Sequence, residues 1–120
     1  MFFELRQYRV KPGQRERWVA FMEEKIIPFQ IAQGMVVIGS FVGQEEEDLY
    51  VWIRRFESEE ERERLYDKVY QSDYWQNEVS PLVGDMLDRS RTQVTRIVAT
   101  PKSLLSELHT KSPYTVIQEL

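Results

Sequence analysis

The sequence predicts an α+β fold: a ferredoxin-like βαββαβ sandwich built on a four-stranded antiparallel sheet. Three observations carry this expectation. Four segments, residues 2–10, 35–43, 49–56 and 91–100, are rich in aromatic and β-branched residues and read as strands. Apolar residues at three- and four-residue steps follow the first and the third of them, as helices would require. The middle two strands are joined by the short acidic link QEEED, which suits a hairpin and is too short for a crossover. Strands and helices in that order most simply close into a sheet with its helices on one face.

Each element has its own signals. FFELRQYRV opens the fold, and Lys11-Pro12-Gly13 ends it, because Pro12 lacks a ladder donor and Gly13 tolerates turn geometry. Trp18, Phe21, Met22, Lys25, Ile26 and Phe29 form one helical stripe. Pro28 is expected to kink or end that helix early, with Gly34 as its C-terminal cap. MVVIGSFVG and LYVWIRRF follow as the hairpin. Ser58 and Glu61 have capping-box spacing, and Glu59, Glu60 and Glu61 suit the positive end of a helix dipole. Leu65, Tyr66 and Val69 carry the inward face of that helix. Two further helix starts are read at residues 73–76 and at Ser80-Pro81, with Leu82, Val83, Met86 and Leu87 as apolar positions. RTQVTRIVAT returns to strand, and Pro101 closes it. Residues 1–100 thus form one domain. Residues 101–120 form a C-terminal extension with a short helix around residues 104–108 and a strand-like YTVIQEL.

Composition narrows function by exclusion. The 120 residues carry a net charge of −4, and the arginines near residue 60 are interleaved with glutamates. No basic stripe survives to bind nucleic acid. Without cysteine there are no disulfides, thiol nucleophiles or thiolate metal sites. No secretory leader and no apolar run near the ~20 residues of a membrane span is present. A soluble cytoplasmic protein is the default expectation.

The strands are apolar on both sides. In LYVWIRRF, Leu49, Val51 and Ile53 oppose Tyr50, Trp52 and Phe56; in the strand before it, Met35, Val37 and Phe41 oppose Val36, Ile38 and Val42. A sheet wet on one side shows cleaner alternation. That much apolar surface predicts a homodimer through the sheet face, closing a shared barrel.

Glu4-Leu5-Arg6 with Tyr8, Lys11-Pro12-Gly13, Gly39, Val51-Trp52 leading through Phe56-Glu57-Ser58 into a Glu/Arg-rich helix, and Trp75 together resemble the NIPSNAP family over about residues 2–100. The resemblance implies a dimeric α/β barrel of ferredoxin-like subunits. It implies little about reaction: members are mostly without an established activity, and some are linked to protein trafficking or mitochondrial quality control. Barrel relatives include cofactor-independent monooxygenases, isomerases and haem enzymes, an analogy of fold alone. Two departures stand out. The hairpin is acidic, and Tyr50 occupies a position where the family often has histidine.

Arg6, Tyr8, Trp52 and Arg54 are the candidate ligand-binding residues. With the first and third strands adjacent, two guanidinium groups and two rings share a face and suit a planar or carboxylate-bearing small molecule. The competing reading makes them an internal ion-pair set with Glu4, and assigns Arg6 to Glu4. Trp18, Phe21 and Trp75 either line the helix side of a cavity or pack as core. The lone His109 reads as a solvated tail residue, the acidic hairpin as a charged turn, and neither metal nor cofactor is expected. A binding module is the favoured function. The alternative is a cofactor-independent monooxygenase or isomerase acting on an aromatic or polyketide-like substrate, for which the strands supply no histidine.

Overall fold

A computed structural model describes residues 1–107 of the chain. Strands β1 (Phe2–Val10), β2 (Val36–Val42), β3 (Leu49–Phe56) and β4 (Leu87–Ile97) form one antiparallel sheet in the order β2-β3-β1-β4. Helices lie between β1 and β2 and between β3 and β4, so the predicted ferredoxin-like order is present. The register pairs Glu4 with Arg54, Arg6 with Trp52 and Tyr8 with Tyr50. Directly opposed residues share a face, so these six side chains all point toward the helices.

Burial follows this alternation. Tyr50, Trp52, Arg54 and Phe56 are buried, while Leu49, Val51, Ile53 and Arg55 are only partly covered. Tyr8, Val10, Tyr50 and Trp52 pack against Trp18, Met22, Ile26, Val79, Val83 and Met86 in the larger core cluster. Met35, Phe56, Leu65 and Val69 form the smaller one. The opposite face carries Leu5, Val51, Ile53, Phe41 and Ile97, and no helix among the described residues is packed over these positions.

Pro28 does not end the first helix. Helix α1 (Arg15–Phe21) passes through a π-turn (Met22–Ile26) into α2 (Ile27–Gln33), and Gly34, at φ 112°, caps it. Pro28 lies two residues after the π-turn, so the irregular turn falls where proline withholds a backbone donor. The two helix starts expected near residues 73 and 80 are likewise one continuous run. A π-turn (Trp75–Val79) leads straight into α4 (Ser80–Met86), again with a proline in its first turn. The last strand begins at Leu87 rather than Arg91, so Leu87 belongs to β4 and not to the helix.

Phe41 is on the other side of the sheet from Val37. A bulge between Val37 and Gly39 shifts the register, pairing Val37 with inward Arg54 and Phe41 with outward Val51. Gly39 lies at this bulge, and a Cβ there would stand 2.5 Å from the Phe41 ring, a side chain half exposed and able to swing aside. In α3 (Glu59–Tyr70), Ser58 accepts from the Glu61 amide as expected, while Glu61 answers the Glu57 amide instead of that of Ser58. After β4 the chain turns through residues 101–106. The helical reading of 104–108 runs past the described residues, and His109 and YTVIQEL lie wholly outside them.

Candidate functional site: a cavity between helices and sheet

A cavity of about 610 Å³ opens between the inner face of the sheet and the helices. Its floor is Arg6, Tyr8 and Trp52; its walls include Trp18, Met22, Ile26, Tyr66, Tyr70 and Trp75. Ser80, Arg89 and Thr92 also border it. All three tryptophans of the chain therefore line one space. Both π-turns supply walls: Met22 and Ile26 from the first, Trp75 from the second. Such turns are found mostly as single widened turns, often at functional sites.

Arg6, Tyr8 and Trp52 are thus brought together at the cavity, and Arg54 is set behind them. Arg54 has no exposed side-chain surface and is not in the lining. Its Nη1 donates to Gln30 Oε1 at 2.8 Å and to the Tyr70 hydroxyl at 2.7 Å. Its Nη2 donates to Glu4 Oε1 and to the Tyr66 hydroxyl, each at 2.6 Å. The guanidinium also stacks over Trp52, 4.5 Å from the ring centroid. Arg54 is a structural hub.

Glu4 is the counter-charge of this hub. Besides Arg54 it accepts from Arg62 Nε at 2.9 Å and from the Tyr66 hydroxyl. Burial alone raises a carboxyl pKa; here the Arg54 charge and the hydrogen bonds from Tyr66, Arg62 and Arg54 outweigh it and hold Glu4 at about 2. Arg6 Nη1 reaches the same carboxylate only at 3.4 Å. The firm partner of Arg6 is Tyr8, whose hydroxyl accepts from Arg6 Nε at 2.8 Å and from Trp52 Nε1 at 2.9 Å. Burial pushes the Tyr8 phenol above its ordinary pKa, so it stays protonated. Burial likewise drives Tyr66 up to about 12.

Trp18 and Trp75 line the cavity, whereas Phe21 packs against the Trp18 ring outside it. Sequence reasoning missed Tyr70, Gln30 and Arg62. Tyr70 stands one helical turn beyond Tyr66, and Gln30 one turn beyond Ile26, so both extend stripes already legible. Arg62 carried no such signal among its charged neighbours. Among the described residues no three His, Asp or Glu side chains gather in a way that could hold a metal ion. No helix among them is long and apolar enough to cross a membrane.

A family model for NIPSNAP matches residues 3–102. The chain belongs to the NIPSNAP family. Solved NIPSNAP structures share its fold at low identity. An Agrobacterium tumefaciens NIPSNAP protein with unknown function is 22% identical, with a TM-score of 0.79 over 88% of this chain and 93% of that one. An uncharacterized NIPSNAP domain protein from Burkholderia xenovorans is 15% identical, with a TM-score of 0.75 over 86% and 98%. Beyond the NIPSNAP proteins, an antibiotic biosynthesis monooxygenase overlays with a TM-score of 0.61 at 16% identity, covering 84% of this chain and all of that one (100%). Among curated proteins none matches.

Proposed function

We propose that this NIPSNAP protein is a homodimeric binding module that takes a small, planar, largely apolar molecule between its helices and its sheet. The observation that carries this reading is the cavity itself. About 610 Å³ is ample for a two- or three-ring compound, and its walls are mostly aromatic and aliphatic. Rings supply stacking area, and Arg6 supplies a polar end with capacity to spare. The apolar outer face of the sheet, with Phe41 53% exposed among the described residues, supports pairing of two copies back to back.

The reading is tested by titrating the intrinsic tryptophan fluorescence with planar bicyclic and tricyclic compounds. Because every tryptophan borders the cavity, occupancy should give a saturable change in the wild type. Val83→Phe, which narrows the space, should weaken it. An unsaturable response that is identical in the two proteins would sink the proposal. Protein purified from its natural host, crystallised and inspected for density in the cavity, is the complementary measurement.

A second reading is cofactor-independent oxygenation or isomerisation of an aromatic or polyketide-like substrate. Arg6, Tyr8 and Trp52 meeting at a cavity support it, as does the monooxygenase whose fold is similar. Proton abstraction, however, needs a base of suitable pKa within reach. Glu4 is held near 2 and is surrounded by four donor groups, and Tyr8 is a buried neutral phenol. Binding is therefore the better-supported reading. Oxygen uptake in the presence of a bound planar phenol would reverse that preference.

A further inference from the structure

The hydrogen-bond inventory around the cavity is unbalanced toward donors. Arginine and tryptophan N–H groups can only donate, so the Tyr8 oxygen must accept from both Arg6 Nε and Trp52 Nε1. That leaves the Tyr8 hydroxyl proton with no acceptor among the described residues. Tyr70 is in the same condition. Arg54 Nη1 can only donate to Gln30 Oε1, which fixes the Gln30 amide and turns its Nε2 toward Tyr70 at 3.2 Å. The Tyr70 oxygen therefore accepts from Gln30 Nε2 and Arg54 Nη1, and its own proton is unspent. Tyr66 differs, because its proton goes to Glu4.

Arg6 adds to the surplus. Its Nη2 meets no acceptor among the described residues, and its Nη1 has only the 3.4 Å approach to Glu4. Among the described residues Glu4 is the one carboxylate paired with Arg6, and Arg54, Arg62 and Tyr66 hold it more closely than Arg6 does. Tyr8, Tyr70 and Arg6 all border the same space. Tyr8 is buried, and Arg6 and Tyr70 are partly so; donors facing a cavity without a protein partner can be answered by an incoming acceptor.

We infer that the cavity takes its ligand as an oxyanion, a carboxylate on a planar apolar body, received by the Tyr8 and Tyr70 hydroxyls and by the free Nη2 of Arg6. This rests on the reading of the cavity as a binding site and names the chemical class of its occupant. Glu4 neutralises Arg54 and so leaves the Arg6 charge for the ligand. A neutral carbonyl of the same shape brings two lone pairs to three donors and no charge to Arg6, whereas a carboxylate brings about four acceptor sites and a negative charge.

The test is isothermal titration calorimetry with three probes of one shape: 1-naphthoate, 1-naphthamide and methyl 1-naphthoate. Wild-type protein should bind the carboxylate at least about tenfold more tightly than the amide or the ester, the range of a charge-assisted hydrogen bond. Tyr70→Phe, which leaves Arg54 its bonds to Glu4, Gln30 and Tyr66, should reduce carboxylate affinity several-fold and leave amide affinity unchanged. Tyr8→Phe should act in the same direction. Should it fail to fold for want of an acceptor for Arg6 and Trp52, the Tyr70→Phe result decides. Equal affinity for all three probes overturns the oxyanion inference and leaves the binding module standing. Binding of none overturns both.

Discussion

Glu4 and Arg54 face each other across β1 and β3, carboxylate to guanidinium at 2.6 Å, with no solvent reaching either side chain. Taking one partner of such a pair away leaves the other charged and buried. Glu4→Gln is therefore expected to destabilise the fold by about 3–5 kcal/mol in urea denaturation. Arg54→Lys should cost a similar amount, because a single ammonium cannot serve Gln30, Tyr70, Tyr66 and Glu4 together. A loss under about 1 kcal/mol in both variants would show that the apolar core alone holds these strands together.

Acid should unfold the protein through the same carboxylate. Glu4 titrates near 4.5 in an open chain and at about 2 in the fold. The unfolded chain thus binds its proton first as pH falls. The contribution is whole above about pH 4.5 and disappears progressively toward pH 2, amounting to about 3 kcal/mol. Denaturation midpoints measured across that window should fall in the wild type and fall much less in Glu4→Gln.

Val51→Arg and Ile53→Asp place charge on the outer sheet face, opposite the side of Trp52 and Arg54. Sedimentation should show dimers for the wild type and monomers for either variant at micromolar concentration. Probe binding in the cavity should persist, since none of its walls is altered.

Gly43→Ala should destabilise the β2–β3 hairpin. A Cβ there would run into the Glu46 carbonyl oxygen and press against Leu49. Backbone cannot swing aside as a side chain can, so a loss of about 1–3 kcal/mol is expected. Gly39→Ala is the informative control. Its Cβ meets only the far edge of the Phe41 ring, which is half exposed and free to turn.

The alternation of β1 and β3 was legible because a period of two survives any local detail, and it correctly placed Glu4, Arg6, Tyr8 and Trp52 on one face. The side of Phe41 was not, because a bulge adds one residue without changing composition. The π-turns were hidden for a similar reason: apolar steps of three and four look alike whether a turn holds its usual complement or one residue more. Arg54 had the right face, and of its two readings the structure displays the ion pair with Glu4. Residue type announces a charge, yet its partners come from Gln30, Tyr66 and Tyr70, on helices whose approach only the folded chain defines.

Odd and even positions along β1 and β3 answer to different neighbours, and this governs how such a domain can diverge. Arg6 can be exchanged with the interior chemistry while Leu5, next to it, stays tied to the outer surface. A point substitution therefore disturbs one side of the sheet at a time. Deleting a single residue from either strand does the opposite: everything beyond it is inverted, sending Glu4 or Arg54 outward and hydrocarbon in its place. Lineages of this fold should accumulate replacements one face at a time along these strands, outside the Glu4–Arg54 pair, and lengthen or shorten them only at their ends.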